Sequence, residues 1–228
     1  MAELGCGISA LVALALAPSV QHYVATDQEY VRRLFRTNID ANASVKSATT
    51  PKQKPAKSRS SKPANQRQTA STSAASPSSN FSNVIFTTLD WELDQPSSLR
   101  ECIEPESGGR DSASKSEDQE ADHGFDLLLS CDCIYNDALV TPFVRTCAEI
   151  CRLRPAYEPS DMEAEPRSQR PTICIVAQQQ RAPEVFEAWL RETLQEFRVW
   201  RVKDEVLVNG LKSGSGSLVH LLLVRDRR

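Results

Sequence analysis

The residues best suited to chemistry stand at the very start of the chain. Glu3-Leu4-Gly5-Cys6-Gly7 sets two glycines one residue apart, between a short strand-like stretch at 2–5 and an Ala- and Leu-rich helical stretch at 8–17. Glycine tolerates positive φ and lets a ligand approach the backbone closely. A helix that begins just after such a loop, here from about Ile8, offers free backbone N–H groups. Asp27 ends the next strand-like run, about twenty residues on. A carboxylate there can accept both hydroxyls of a ribose. In an open parallel sheet, ligands bind beyond the carboxyl ends of the strands. Loop and acid together read as the site of a nucleotide-type ligand.

Two cofactor classes satisfy this loop. Gly5-x-Gly7-x-x-Ala10 matches the looser dinucleotide fingerprint, so an NAD(P)- or flavin-dependent oxidoreductase of Rossmann type is one reading. Glu3 argues against it, because an acid two residues before the first glycine would repel a diphosphate. The positively charged methionyl group of S-adenosylmethionine would instead be attracted. Asp90-Trp91 follows a third strand-like run and offers a hydrogen-bonding acid and a stacking ring to an adenine. The simpler roles are a turn cap for Asp90 and core packing for Trp91.

A second cluster, Asp132-Cys133-Ile134-Tyr135, follows the apolar run 125–131. By residue type, Asp132 either caps a strand end or faces a cationic substrate. Tyr135 either packs or walls a channel. Gln178-Gln179-Gln180-Arg181 follow another buried strand and read as a solvated polar turn, with substrate contact as the alternative. The seven cysteines include no tight Cys-x-x-Cys pair. They read as buried free thiols in a reducing compartment, and no metal centre is expected.

These residues need a frame to position them, and the hydrophobic pattern supplies one. Strand-like runs cover 2–5, 20–26, 83–89, 125–131, 172–177, 197–202 and 217–224. Helical periodicity covers 8–17, 28–40, 138–152 and 182–194. The alternation implies an α/β fold with a mostly parallel sheet, helices on both faces and a terminal hairpin whose last strand is antiparallel. Three stretches fall outside that frame. Residues 41–80 carry Lys and Arg, no acid and no aromatic, and read as a disordered basic insert. Residues 94–122 read as a disordered acidic insert, and 155–170 as a polar loop. The remainder is a single domain. The mean hydropathy of −0.41 implies that part of the chain lies outside the core, no apolar run approaches the roughly 20 residues of a membrane span, and the formal net charge of −3 says nothing about a nucleic-acid partner. Nucleic acid is considered only for the basic insert, where a solvated linker is the stronger reading.

Taken together, ELGCG at 3–7, VATDQ at 24–28, Asn38-Ile39, LDW at 89–91 and SCDCIYND at 130–137 resemble the seven-stranded class I methyltransferases. They look most like the family-16, METTL21-like protein-lysine methyltransferases, and within these like the fungal enzyme that modifies a large-subunit ribosomal protein. The resemblance covers about 1–40, 81–93 and 124–228. It implies a Rossmann-like sandwich, S-adenosyl-L-methionine as cofactor and a lysine side chain of a ribosomal or translation-associated protein as substrate. The enzyme would be a cytoplasmic or nuclear monomer. It also implies that Glu3, Gly5 and Gly7 line the methionyl and ribose part of the cofactor, with Ser130 among the cofactor-binding residues. Asp27 would hold the ribose, and Asp90 and Trp91 would meet the adenine. Asp132 and Tyr135 would face the methyl group and the lysine as catalytic residues. Only Met1 and Ala2 precede Glu3, whereas the family carries an N-terminal region that covers one side of the site. The first strand is therefore expected to be truncated and the chain less stable than an extended relative. A non-catalytic binding module with the same fold is the corresponding third reading.

Overall fold

The computed structural model describes residues 1–47, 81–102, 124–154 and 170–225. Seven strands form one sheet: β1 (Ala2–Leu4), β2 (Tyr23–Asp27), β3 (Val84–Thr88), β4 (Leu127–Cys131), β5 (Ile173–Gln179), β6 (Phe197–Arg201) and β7 (Ser217–Val224). The helices are α1 (Leu11–Leu16), α2 (Glu29–Ser47), α3 (Val140–Cys151) and α4 (Pro183–Glu196). The strand order is β3-β2-β1-β4-β5-β7-β6. β1 to β5 are parallel, and β7 runs antiparallel to both neighbours. This is the Rossmann-like seven-stranded arrangement expected, with the refinement that β7 slots between β5 and β6. The order reverses between β1 and β4, so the ligand crevice of such a sheet opens at the carboxyl ends of those two strands.

The side-chain period of two divides each strand between two cores. Ala2, Leu4, Val24, Leu128, Val176 and Leu222 face α3 and α4, where they meet Phe143, Ile150 and Trp189. Tyr23, Ala25, Phe86 and Leu129 face α1 and α2, where they meet Ala13, Val31 and Phe35. β1 is only three residues long, yet all three are buried and it pairs on both sides, Leu4 with Thr26 and with Ser130. α4 starts at Pro183, where a missing N–H costs nothing, and its chain runs directly into β6.

Several boundaries differ from the sequence reading. The helix expected at 8–17 is confined to Leu11–Leu16, because Ala10 adopts a left-handed φ of 56° and extends the turn begun at the glycines. Pro18 then turns the chain into a single 3-10 turn, Ala17–Ser19. α2 continues to Ser47, so residues 41–47, expected in the disordered basic insert, are helical. No Gly or Pro interrupts that helix before Pro51. Residues 94–102, expected in the disordered acidic insert, form a turn and a 3-10 helix, Pro96–Cys102. Leu99 and Pro96 supply the apolar surface that makes ordering favourable, and Leu99 is buried in the α3–α4 core. The remainder of both inserts, and 155–169 of the polar loop, lie outside the described residues. No described helix is long and apolar enough to cross a membrane.

Candidate active site

Each strand of the β3-β2-β1-β4 block delivers an acid at or near its carboxyl end. Glu3 lies on β1 and points to the α1–α2 side, where it is buried. The Tyr23 hydroxyl donates to Glu3 Oε2 at 2.5 Å. Burial pushes the Glu3 carboxyl up to about 7, with the nearby Asp27 charge acting the same way and the Tyr23 hydrogen bond opposing. Glu3 is thus an acid whose charge can respond to what binds beside it.

The loop after β1 turns on two left-handed glycines, Gly5 at φ 66° and Gly7 at φ 62°. They do different work. A Cβ on Gly5 would clash with Cys133 Sγ and lie 3.3 Å from Trp91 Cζ2, so Gly5 permits close packing of three loops. A Cβ on Gly7 would meet nothing within 4 Å, so its backbone borders open space. Asp27, the last residue of β2, holds this loop: Oδ2 accepts the Gly7 N–H at 2.8 Å and Oδ1 accepts the Gln28 N–H at 2.7 Å. Each oxygen retains a second lone pair for a ligand.

Asp90 follows β3 and caps its own turn, Oδ1 accepting the N–H of Glu92 at 2.8 Å. Oδ2 accepts Gln28 Nε2 at 2.9 Å. The Gln28 bond, then the backbone N–H of Glu92, holds this carboxyl below the usual carboxylate range. Trp91 sets its edge against Phe143, ring centroids 5.1 Å apart. Its Nε1 is buried without a hydrogen-bond partner. Both the capping and packing roles weighed for this pair are therefore real, and they leave it on the cavity wall.

Beyond β4, Asp132 adopts a left-handed φ of 58°. Its Oδ1 accepts the Gln179 N–H at 3.4 Å, and its Oδ2 pairs with Arg181 Nη2. Tyr135 stands at the rim, 60% exposed. Burial pushes the flanking thiols up, Cys131 to about 11 and Cys133 to about 12, so both remain protonated at neutral pH. Among the described residues, no group of three or more His, Cys, Asp or Glu side chains is placed to hold a metal ion.

Glu3, Gly5, Gly7, Asp27, Asp90, Trp91, Asp132 and Tyr135 all line one cavity of about 650 Å³. Ser130 is not among the lining residues. It is paired in register with Leu4, shares that residue's face, and is buried with its hydroxyl donating to Leu4 O at 3.2 Å. Two further residues have no assigned site role in the sequence reading. Gln28, the last residue of the VATDQ stretch, links the ends of β2 and β3. Arg181 stands in the turn read as solvated, and only the pairing of β4 with β5 brings it to Asp132. The lining includes five carboxylates, Glu3, Asp27, Asp90, Glu92 and Asp132, and no Lys, Arg or His.

No protein-family model matches the sequence, and no curated protein is similar to it in sequence. Solved structures align with it at low identity. A methyltransferase from Pyrococcus furiosus aligns at 11% identity and a TM-score of 0.45, over 99% of this chain and 74% of its own. The CurJ carbon methyltransferase aligns at 14% identity and a TM-score of 0.46, over 99% of this chain and 48% of its own. The rRNA methyltransferase aviRa from Streptomyces viridochromogenes aligns at 11% identity and a TM-score of 0.41, over 97% of this chain and 75% of its own.

Proposed function

We propose that this chain is an S-adenosylmethionine-dependent protein-lysine N-methyltransferase acting on a ribosomal or other translation-associated protein. The observation that carries this reading is the acidity of the cavity: five carboxylates line it and no basic residue does, with Asp132 alone paired to a cation, Arg181, and Glu3 raised to about 7 by burial. A dinucleotide diphosphate would be repelled there. A sulfonium cofactor and an ammonium substrate would both be attracted. The cavity, about 650 Å³, is of the size that takes a nucleoside-sized ligand, roughly 300–1,000 Å³.

The residues present fit that cofactor. Gly7 leaves open space for a close backbone approach, and Trp91 Nε1 is an unpartnered donor at the wall. Glu3 would attend the methionyl end, Gly5 and Gly7 the backbone side, Asp27 the ribose hydroxyls, and Asp90 with Trp91 the adenine. Bound there, S-adenosylmethionine would supply an electrophilic methyl group on a sulfonium. A lysine has an ordinary pKa of about 10.4 and must lose a proton before it attacks. Asp132 offers the carboxylate that draws in and orients its ammonium. Tyr135 supplies an aromatic wall suited to a cation. Positioning of this kind can contribute roughly 7–11 kcal/mol to such a displacement.

Calorimetric titration with S-adenosylhomocysteine and NAD tests the cofactor. Binding of the first in the micromolar range and none of the second is expected, and the reverse result would sink the reading. Transfer of labelled methyl groups from S-adenosylmethionine to separated ribosomal proteins tests the reaction. Cofactor binding with no transfer to any of them would favour the non-catalytic binding module.

A further inference from the structure

A second cavity lies at the other end of the sheet. On the β6–β7 pair, Arg201 lies opposite His220 and Val199 opposite Leu222. His220 also lies opposite Val176 of β5. Cross-strand partners share a face, and Val176 and Leu222 belong to the α3–α4 core, so these residues all face α4. On α4, Phe186, Leu190 and Leu194 recur every fourth residue as one apolar stripe. Between stripe and sheet is a cavity of about 570 Å³ that has no lining residue in common with the first.

Three features of this cavity point to a ligand. Its walls are apolar and aromatic on the α4 side and mixed on the sheet side: Phe186, Leu190 and Leu194 face Val199, Leu218, Arg201 and His220, and the Phe186 and His220 ring centroids are 5.7 Å apart. His220 is only 5% exposed, yet its Nδ1 has no hydrogen-bond partner; behind it, outside the lining, the Nε1 of Trp189, packed edge-on at 5.2 Å, has none either. The large majority of buried side-chain polar atoms in proteins are paired with protein or ordered water. The single charged residue of the lining is Arg201, which makes no ion pair with a described residue. An apolar, ring-bearing slot with one cationic group on its wall suits a flat hydrophobic body that ends in an anion.

We propose that the cavity between α4 and the β6–β7 edge binds a small aromatic carboxylic acid, its ring against Phe186, Leu190 and His220 and its carboxylate on Arg201. The site is independent of the methyltransferase reading.

The test uses the full chain, labelled with nitrogen-15, and three probes: 2-naphthoate, 2-naphthamide and decanoate. The indole N–H of Trp189 is the reporter, and that of Trp91 in the first cavity is the control. Titration with 2-naphthoate should shift the Trp189 signal saturably with Kd below about 1 mM and leave Trp91 unmoved. The neutral amide should bind at least tenfold more weakly. Arg201→Gln should abolish that preference for the acid. Leu194 is half-exposed at the cavity mouth, so Leu194→Glu should fold normally, and it should weaken 2-naphthoate at least tenfold by like-charge repulsion. Absence of saturable binding, equal affinity for acid and amide, or indifference to both substitutions would overturn the proposal. Tighter binding of decanoate than of 2-naphthoate would overturn the aromatic assignment.

Discussion

Tyr23 donates its hydroxyl to Glu3 Oε2 at 2.5 Å, from β2 to β1, on the face of the sheet covered by α1 and α2. Both residues are buried. The pair places a titratable acid at the base of the candidate site, and its protonation is coupled to folding. Burial raises Glu3 from 4.5 to about 7, so the folded state favours the protonated form. The stability this contributes is complete below pH 4.5 and is lost as pH rises through 7. Glu3→Gln stays neutral throughout. Its stability relative to the native chain should therefore rise between pH 5 and 8, by up to about 3 kcal/mol. Urea unfolding at the two pH values measures this, and an unchanged difference would refute it.

Tyr23→Phe should act in the opposite sense. The hydroxyl favours the ionised carboxylate, and its removal leaves a buried oxygen unpaired. The variant should lose about 1–2 kcal/mol at pH 8 and less at pH 5, where Glu3 is protonated. Equal losses at both values would show that Tyr23 acts through packing alone.

The two loop glycines should separate folding from binding. Gly5→Ala sets a Cβ against Cys133 Sγ at a left-handed φ, and should cost about 2–3 kcal/mol. Combining it with Cys133→Ala should recover about 1 kcal/mol relative to the sum of the single changes. Gly7→Ala meets no atom and should cost only about 1 kcal/mol of backbone strain. It should nevertheless weaken S-adenosylhomocysteine binding at least tenfold, because the methyl group enters the open space the ligand needs. Thermal unfolding and calorimetry on the same samples distinguish the two effects.

Asp132 should matter for transfer and little for the fold. Its ion pair with Arg181 is half-exposed on both sides, and such pairs contribute about 0–1 kcal/mol. Its left-handed backbone also suits glycine. Asp132→Gly and Asp132→Asn should both stay within about 1 kcal/mol of the native stability. Both should keep S-adenosylhomocysteine affinity within about threefold, and both should lower labelled methyl transfer at least a hundredfold, about 2.7 kcal/mol of barrier. Transfer retained in either variant would remove Asp132 from the chemistry.

Local signals carried much of this protein. The two-residue period of the strands, the glycines at 5 and 7, and the acids at 27 and 90 are all set within windows of a few residues. They sufficed to place the seven strands along the chain and to nominate eight residues that share one cavity. What those windows cannot contain is which distant loops become neighbours. The insertion of β7 between β5 and β6 brings His220 and Arg201 beneath α4 and makes the second cavity. The pairing of β4 with β5 turns Arg181 from a solvated turn residue into the partner of Asp132. Register decides that Ser130 follows Leu4 into the core while Glu3 takes the opposite face. The glycine loop shows the division most plainly. Its residue types called for positive φ, but only packing against Cys133 and Trp91 determined that Gly5 serves the fold and Gly7 faces open space.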